Sequence, residues 1–64
     1  MKSIKIKDHY KYDLKNTQSF LQIEERGEGQ VAFISWYDNE TCETSVLNNE
    51  DIDKVIDFLK SIRK

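Results

Sequence analysis

Val31-Ala32-Phe33-Ile34-Ser35-Trp36-Tyr37 decides how this 64-residue chain is read. In an extended strand Val31, Phe33 and Tyr37 point one way, and Ala32, Ile34 and Trp36 the other. Both faces are apolar, which suits a central strand covered on both sides. Immediately upstream, Arg26-Gly27-Glu28-Gly29 holds the only two glycines of the chain. Glycines are able to take positive φ, and these lie between two apolar alternations, so the segment reads as a hairpin turn. A phosphate-cradling loop would need more glycines and a following helix. Downstream, Asp38-Asn39-Glu40 makes a second turn, leading into a β-branched stretch over 41–47.

The same period of two continues outward. Leu21 and Ile23 share one face of a strand over 19–26, with Gln22 and Glu24 on the other. Ile4, Ile6, Tyr10 and Tyr12 occupy even positions, and Lys5, Lys7 and Lys11 odd ones, which predicts a first strand over 3–12 with a bend or bulge at Asp8-His9. Strands are therefore expected at 3–12, 19–26, 30–37 and 41–47.

A helix over 49–63 closes the chain. Asn48 is an expected N-cap, Asp51 falls at the third helical position, and Leu47 and Ile52 take the staple positions. Ile52, Val55, Ile56, Leu59 and Ile62 form an apolar stripe at helical spacing. Glu50, Asp51 and Asp53 open the helix, while Lys60, Arg63 and Lys64 end it, and both groups complement its dipole. The expected class is α+β with order ββββα: a four-stranded antiparallel sheet followed by one C-terminal amphipathic helix, in a single domain over 1–64 without linkers. One helix covers one face of a sheet. The other face is left exposed, meets a subunit or holds a ligand; a homo-oligomer is expected to pack through the sheet face, with Phe33, Tyr37 and Ile34 as its interface, or through the helices.

Size presses the same way. A chain this short buries only about 60% of its unfolded surface, so its stability margin is thin. Disulfides or metals usually restore that margin, but Cys42 and His9 are each the only residue of their type. Self-association is the remaining remedy. Met1 to Lys7 alternates apolar and basic residues, unlike a signal peptide. No apolar run approaches the roughly 20 residues that span a bilayer. A cytoplasmic protein with no membrane partner is expected, and the glycosylation-like Asn39-Glu40-Thr41 then carries no meaning. The net charge of −2 is segregated: residues 1–15 carry +3, 16–53 carry −8 and 54–64 carry +3. One basic and one acidic surface can therefore coexist on the domain.

Catalytic arrangements are sparse. His9 has no partner legible in the sequence. Cys42 sits beside Glu43, whose charge disfavours a thiolate, so a small buried or half-buried structural cysteine is the plain reading. Two or three of the many carboxylates could together hold Mg²⁺ for phosphodiester cleavage, with Asp13 the candidate because Lys11, Tyr12 and Lys15 surround it. No other cofactor is expected. Basic and aromatic residues offer more. Lys5, Lys7 and Lys11 with Tyr10, Tyr12 and Trp36 fit a nucleic-acid-binding sheet, on which lysines follow the backbone and rings stack on bases. Strict alternation puts the lysines and tyrosines of the first strand on opposite faces, and a bulge at Asp8-His9 would reunite them. The alternative is an edge strand guarded by lysines and a core made of rings.

The order of elements, with Val31-Ala32-Phe33-Ile34-Ser35-Trp36-Tyr37-Asp38 in the third strand and Ser45-Val46-Leu47-Asn48-Asn49-Glu50 entering the helix, resembles the single-strand-DNA-binding transcriptional coactivators of the positive cofactor four type. The resemblance covers about residues 19–60. It implies a homodimer or a dimer of dimers, and a DNA ligand. Ser35 stands where that family has a basic residue, and Glu43-Thr44 where it has Lys-Gly. Small phage proteins of similar architecture counter host CRISPR nucleases. The resemblance together with a lysine- and asparagine-rich, proline-free composition implies a phage-type accessory protein in a bacterial host. Such a protein would bind or act on DNA as a homo-oligomer and oppose a host nuclease. The competing expectation is an acidic inhibitor whose stretch from Glu24 to Glu43 mimics DNA toward a basic enzyme. A Mg²⁺-dependent nicking activity ranks third.

Overall fold

The computed structural model describes residues 2–9 and 19–63. Four strands, β1 (Ser3–Lys7), β2 (Ser19–Arg26), β3 (Gln30–Tyr37) and β4 (Glu40–Asn48), precede one helix, α1 (Asn49–Ile62). The strands form one antiparallel sheet in the order β1-β2-β3-β4. The class is therefore the expected ββββα arrangement. No helix among the described residues is long and apolar enough to cross a membrane.

β1 covers Ser3–Lys7 of the expected first strand. It ends at Lys7, and Asp8 and His9 lie beyond it, although the Asp8 N–H still donates to the Ser19 carbonyl at 2.9 Å. Residues 10–12 of the expected strand lie outside the described residues. β2 and β3 are joined across the Arg26–Gln30 pair by Gly27, Glu28 and Gly29. Positive φ falls at Glu28 (63°) and Gly29 (74°), so a glutamate rather than Gly27 takes the other left-handed position. A Cβ at Gly29 would lie 2.8 Å from Asn49 Nδ2 at the start of α1, so the Asn49 side chain would have to move to admit it. Asp38 (φ 55°) and Asn39 (φ 102°) close the β3–β4 hairpin between Tyr37 and Glu40. After glycine, these are the residue types that best tolerate positive φ.

Directly opposed residues share a sheet face, so the register assigns every side chain to one of two surfaces. Ile4–Ile23–Phe33, Ile6–Leu21 and Val31–Leu47 fall on one surface, which is predominantly apolar. Lys5–Gln22–Ile34–Glu43, Lys7–Phe20–Trp36–Thr41 and Ser3–Glu24–Ala32–Val46 form rows across the other. A bulge interrupts β4: Phe33 pairs with Ser45 but Ile34 pairs with Glu43, leaving Thr44 as the extra residue. The Thr44 hydroxyl donates to the Phe33 carbonyl at 3.0 Å and pins the irregularity. Its effect is to turn Glu43 onto the polar surface, whereas unbroken alternation with Ser45 and Leu47 would place it on the apolar one.

On that polar surface Arg26 of β2 donates from Nε and Nη2 to Glu24 Oε2, both at 3.3 Å, and from Nη1 to Glu43 Oε1 of β4. The rows of Arg26 and Glu43 lie on either side of Ala32, so this side chain passes above it. Ala32 is the one fully buried residue among those described, at 0% exposure.

α1 starts without the expected cap. Asn48 is the last residue of β4, and its side chain makes no capping bond. Its Oδ1 instead accepts from Gln30 Nε2 at 3.2 Å. Glu50 and Asp51 remain in the first turn to complement the dipole, and the Arg63 N–H closes the last turn on the Leu59 carbonyl at 3.1 Å. The apolar stripe is only partly used. The helix contacts β3 and β4. Ile52 and Val55 are half-buried, whereas Ile56, Leu59 and Ile62 remain exposed.

Candidate nucleic-acid interface

Lysine and aromatic side chains meet on the polar sheet surface near the Lys7 end of β1. Lys7, Phe20 and Trp36 are successive partners in one row across β1, β2 and β3. Lys5, one step along β1 on the same surface, extends diagonally over them. Its Nζ lies 3.8 Å from the Trp36 ring centroid and 4.7 Å from that of Phe20. The indole is held as well as placed, because Trp36 Nε1 donates to Gln22 Oε1 at 2.8 Å. Phe20 and Trp36 are half-buried, so each ring keeps part of its surface accessible, and Lys5 and Lys7 are exposed.

Electrostatically this corner differs from the rest of the surface. Glu24 and Glu43 are both engaged by Arg26, and among the described residues Lys5 and Lys7 are the cations beside the rings. The resulting unit is two half-exposed aromatic rings on a sheet, flanked by two exposed ammonium groups. Such a unit stacks with a planar unpaired base and neutralises phosphates on either side of it.

Three of the expected nucleic-acid residues, Lys5, Lys7 and Trp36, come together here. Lys11, Tyr10 and Tyr12 lie outside the described residues, as does Asp13, the candidate catalytic acid. Phe20 and Gln22 are members that the sequence reading missed. Phe20 could have been found by parity: it shares its strand face with Gln22 and Glu24, and it is the apolar exception on a polar side. The union also needs no bulge in β1, since it depends on rings from β2 and β3 rather than on the tyrosines.

The expected oligomer residues divide. Phe33 and Tyr37 lie on the apolar surface, Tyr37 60% exposed, while Ile34 lies on the polar surface beside Gln22 and Glu43. The apolar surface holds an open hollow of about 230 Å³ lined by Ile4, Ile23 and Val31, with Lys2 and Glu25 at its rim. Cys42, expected to be buried or half-buried, is instead free and exposed, because β4 is an edge strand and leaves it uncovered beside Glu43. Among the described residues, no three His, Cys, Asp or Glu side chains converge as a metal site would require.

Compared with protein-family models, with curated proteins and with solved structures, the chain has no significant match in any of the three.

Proposed function

We propose that this protein binds single-stranded nucleic acid, DNA being the expected form, through the surface formed by Lys5, Lys7, Phe20 and Trp36. The observation that carries the reading is the position of Lys5 Nζ above the Trp36 and Phe20 rings. It puts a phosphate-seeking cation and a base-stacking ring within one nucleotide of each other. In the free chain Lys5 occupies the indole face that a base would take. That contact is worth about 0.5–1 kcal/mol at an exposed site. Stacking of a base on an aromatic ring is worth about 1–3 kcal/mol. The base therefore displaces the ammonium, which moves only far enough to meet the adjoining phosphate. A duplex offers no unpaired base to the ring, so single strands are preferred. Opposition to a host CRISPR nuclease, the wider role implied by the resemblance, would be exercised through the same surface.

Trp36 is the only tryptophan, so its fluorescence reports on the site directly. Titration with a thymidine oligonucleotide at low salt is expected to quench it in a saturable manner. Lys5→Glu with Lys7→Glu should abolish the effect, and a matched duplex should produce little. If neither emission nor the anisotropy of a labelled strand changes, the reading fails. Attention then passes to the acidic middle of the chain and a protein partner.

A further inference from the structure

The apolar stripe of α1 is covered at its beginning and bare at its end. Ile56, Leu59 and Ile62 are 42%, 52% and 58% exposed, against half-buried Ile52 and Val55 on the same line. Charges border the bare portion in a particular order. Asp53 and Lys60, seven residues apart, lie on the same flank of the stripe, because seven residues are close to two helical turns. Neither makes an ion pair with another described residue.

We propose that this stripe packs against the same stripe of a second copy of the chain, with the two helices antiparallel about a two-fold axis. An antiparallel pair sets residues of one flank against the same flank of the partner in reverse order. Asp53 then faces the partner's Lys60, and symmetry repeats the contact. A parallel pair would set each flank against the opposite flank of the partner, so Asp53 and Lys60 would not meet. The apolar line and the charges are thus self-complementary, as an isologous interface requires. Burial identifies the occupant in a second way. A chain this short has little stability to spare, and Ala32 is the one fully buried residue among those described. A second copy is always present to provide the missing cover, whereas another protein is not. This interface takes the helices rather than the sheet-face residues Phe33, Tyr37 and Ile34. It stands apart from the nucleic-acid reading, since it uses no residue of that surface.

Sedimentation equilibrium of the whole chain at micromolar concentrations is the test. The unaltered protein is expected to be dimeric, and Leu59→Asp monomeric. Lys60→Asp alone and Asp53→Lys alone should each weaken self-association about tenfold or more. Mixing those two variants should restore a heterodimer, because every flank contact again joins opposite charges. The exposed charge variants leave the fold intact, so they remain informative if Leu59→Asp unfolds. A monomer at all concentrations would overturn the proposal and assign the stripe to a different partner. A dimer indifferent to Leu59→Asp and to both charge variants would overturn it equally.

Discussion

Arg26 and Glu43 are joined by an ion pair that passes over the strand between them, with Ala32 beneath it. At 38% and 45% side-chain exposure the pair is a surface salt bridge, which typically contributes about 0–1 kcal/mol. Its larger consequence is steric, because the guanidinium stem and head close off the centre of this sheet face. Ala32→Leu places three more carbons under that cover. It is expected to destabilise the chain by about 1–3 kcal/mol, in the range of overpacked cores. Glu43→Gln, which loses charge but little volume, should change stability by less than about 1 kcal/mol. Urea unfolding of the two variants measures both. An Ala32→Leu protein as stable as the original would mean that Arg26 does not act as a lid.

The two glycines of the β2–β3 turn should respond in opposite ways. Gly29 has φ +74°, and a Cβ there would lie 2.8 Å from Asn49 Nδ2. Gly29→Ala therefore combines a left-handed backbone, costing about 1–2 kcal/mol, with a contact that the Asn49 carboxamide must move to relieve. A Cβ on Gly27 meets nothing within 4 Å, and its φ is not positive. Gly27→Ala should be neutral or stabilising by about 0.4–1 kcal/mol through a less flexible unfolded chain. Thermal unfolding followed by circular dichroism separates the pair. Equal effects would contradict the turn geometry.

Strand positions and the helix were legible in the sequence, because they follow from period-two and helical spacing. β2 and β3 occupy the residues that the alternation marks. What escaped were local choices made by tertiary neighbours. Asn48 has the identity of a cap, but Gln30 lies opposite it in the sheet and takes its carboxamide oxygen. Glu43 would alternate with Ser45 and Leu47, but the extra residue Thr44 turns it to the opposite face. The meeting of Lys5 with Trp36 could not be read from β1 alone. It depends on the register of two other strands, which no short-range pattern encodes.

The bulge yields its own prediction. Thr44 is exposed, and its hydroxyl bond to the Phe33 carbonyl is the side-chain contact that holds the irregular step. Thr44→Val preserves shape and β-branching while removing the donor. A loss of about 0.5–1.5 kcal/mol is expected, the net worth of one hydrogen bond. Guanidinium unfolding should show it, with an unchanged dependence on denaturant. No loss at all would indicate that backbone pairing alone sustains the bulge.

Salt dependence separates the two halves of the proposed binding surface. Each phosphate neutralised on a single strand contributes about −0.7 to the slope of log affinity against log salt. Lys5→Gln with Lys7→Gln removes two such contacts and should flatten the slope by about 1.4. Trp36→Ala removes a stacking ring and should cost about 1–3 kcal/mol at every salt concentration, leaving the slope nearly unchanged. Lys5 belongs to both halves, since its ammonium rests on the indole in the free protein. In Trp36→Ala that resting place is gone and Lys5 has no ring contact to surrender there. The measured loss should accordingly fall below that of Phe20→Ala with Trp36→Ala combined, because Phe20 remains as a second ring 4.7 Å from the same ammonium. Anisotropy titrations of a labelled strand at several salt concentrations read all three variants. A Trp36→Ala protein whose slope flattens as much as that of the lysine variant would show that the ring positions the cations rather than stacking on bases.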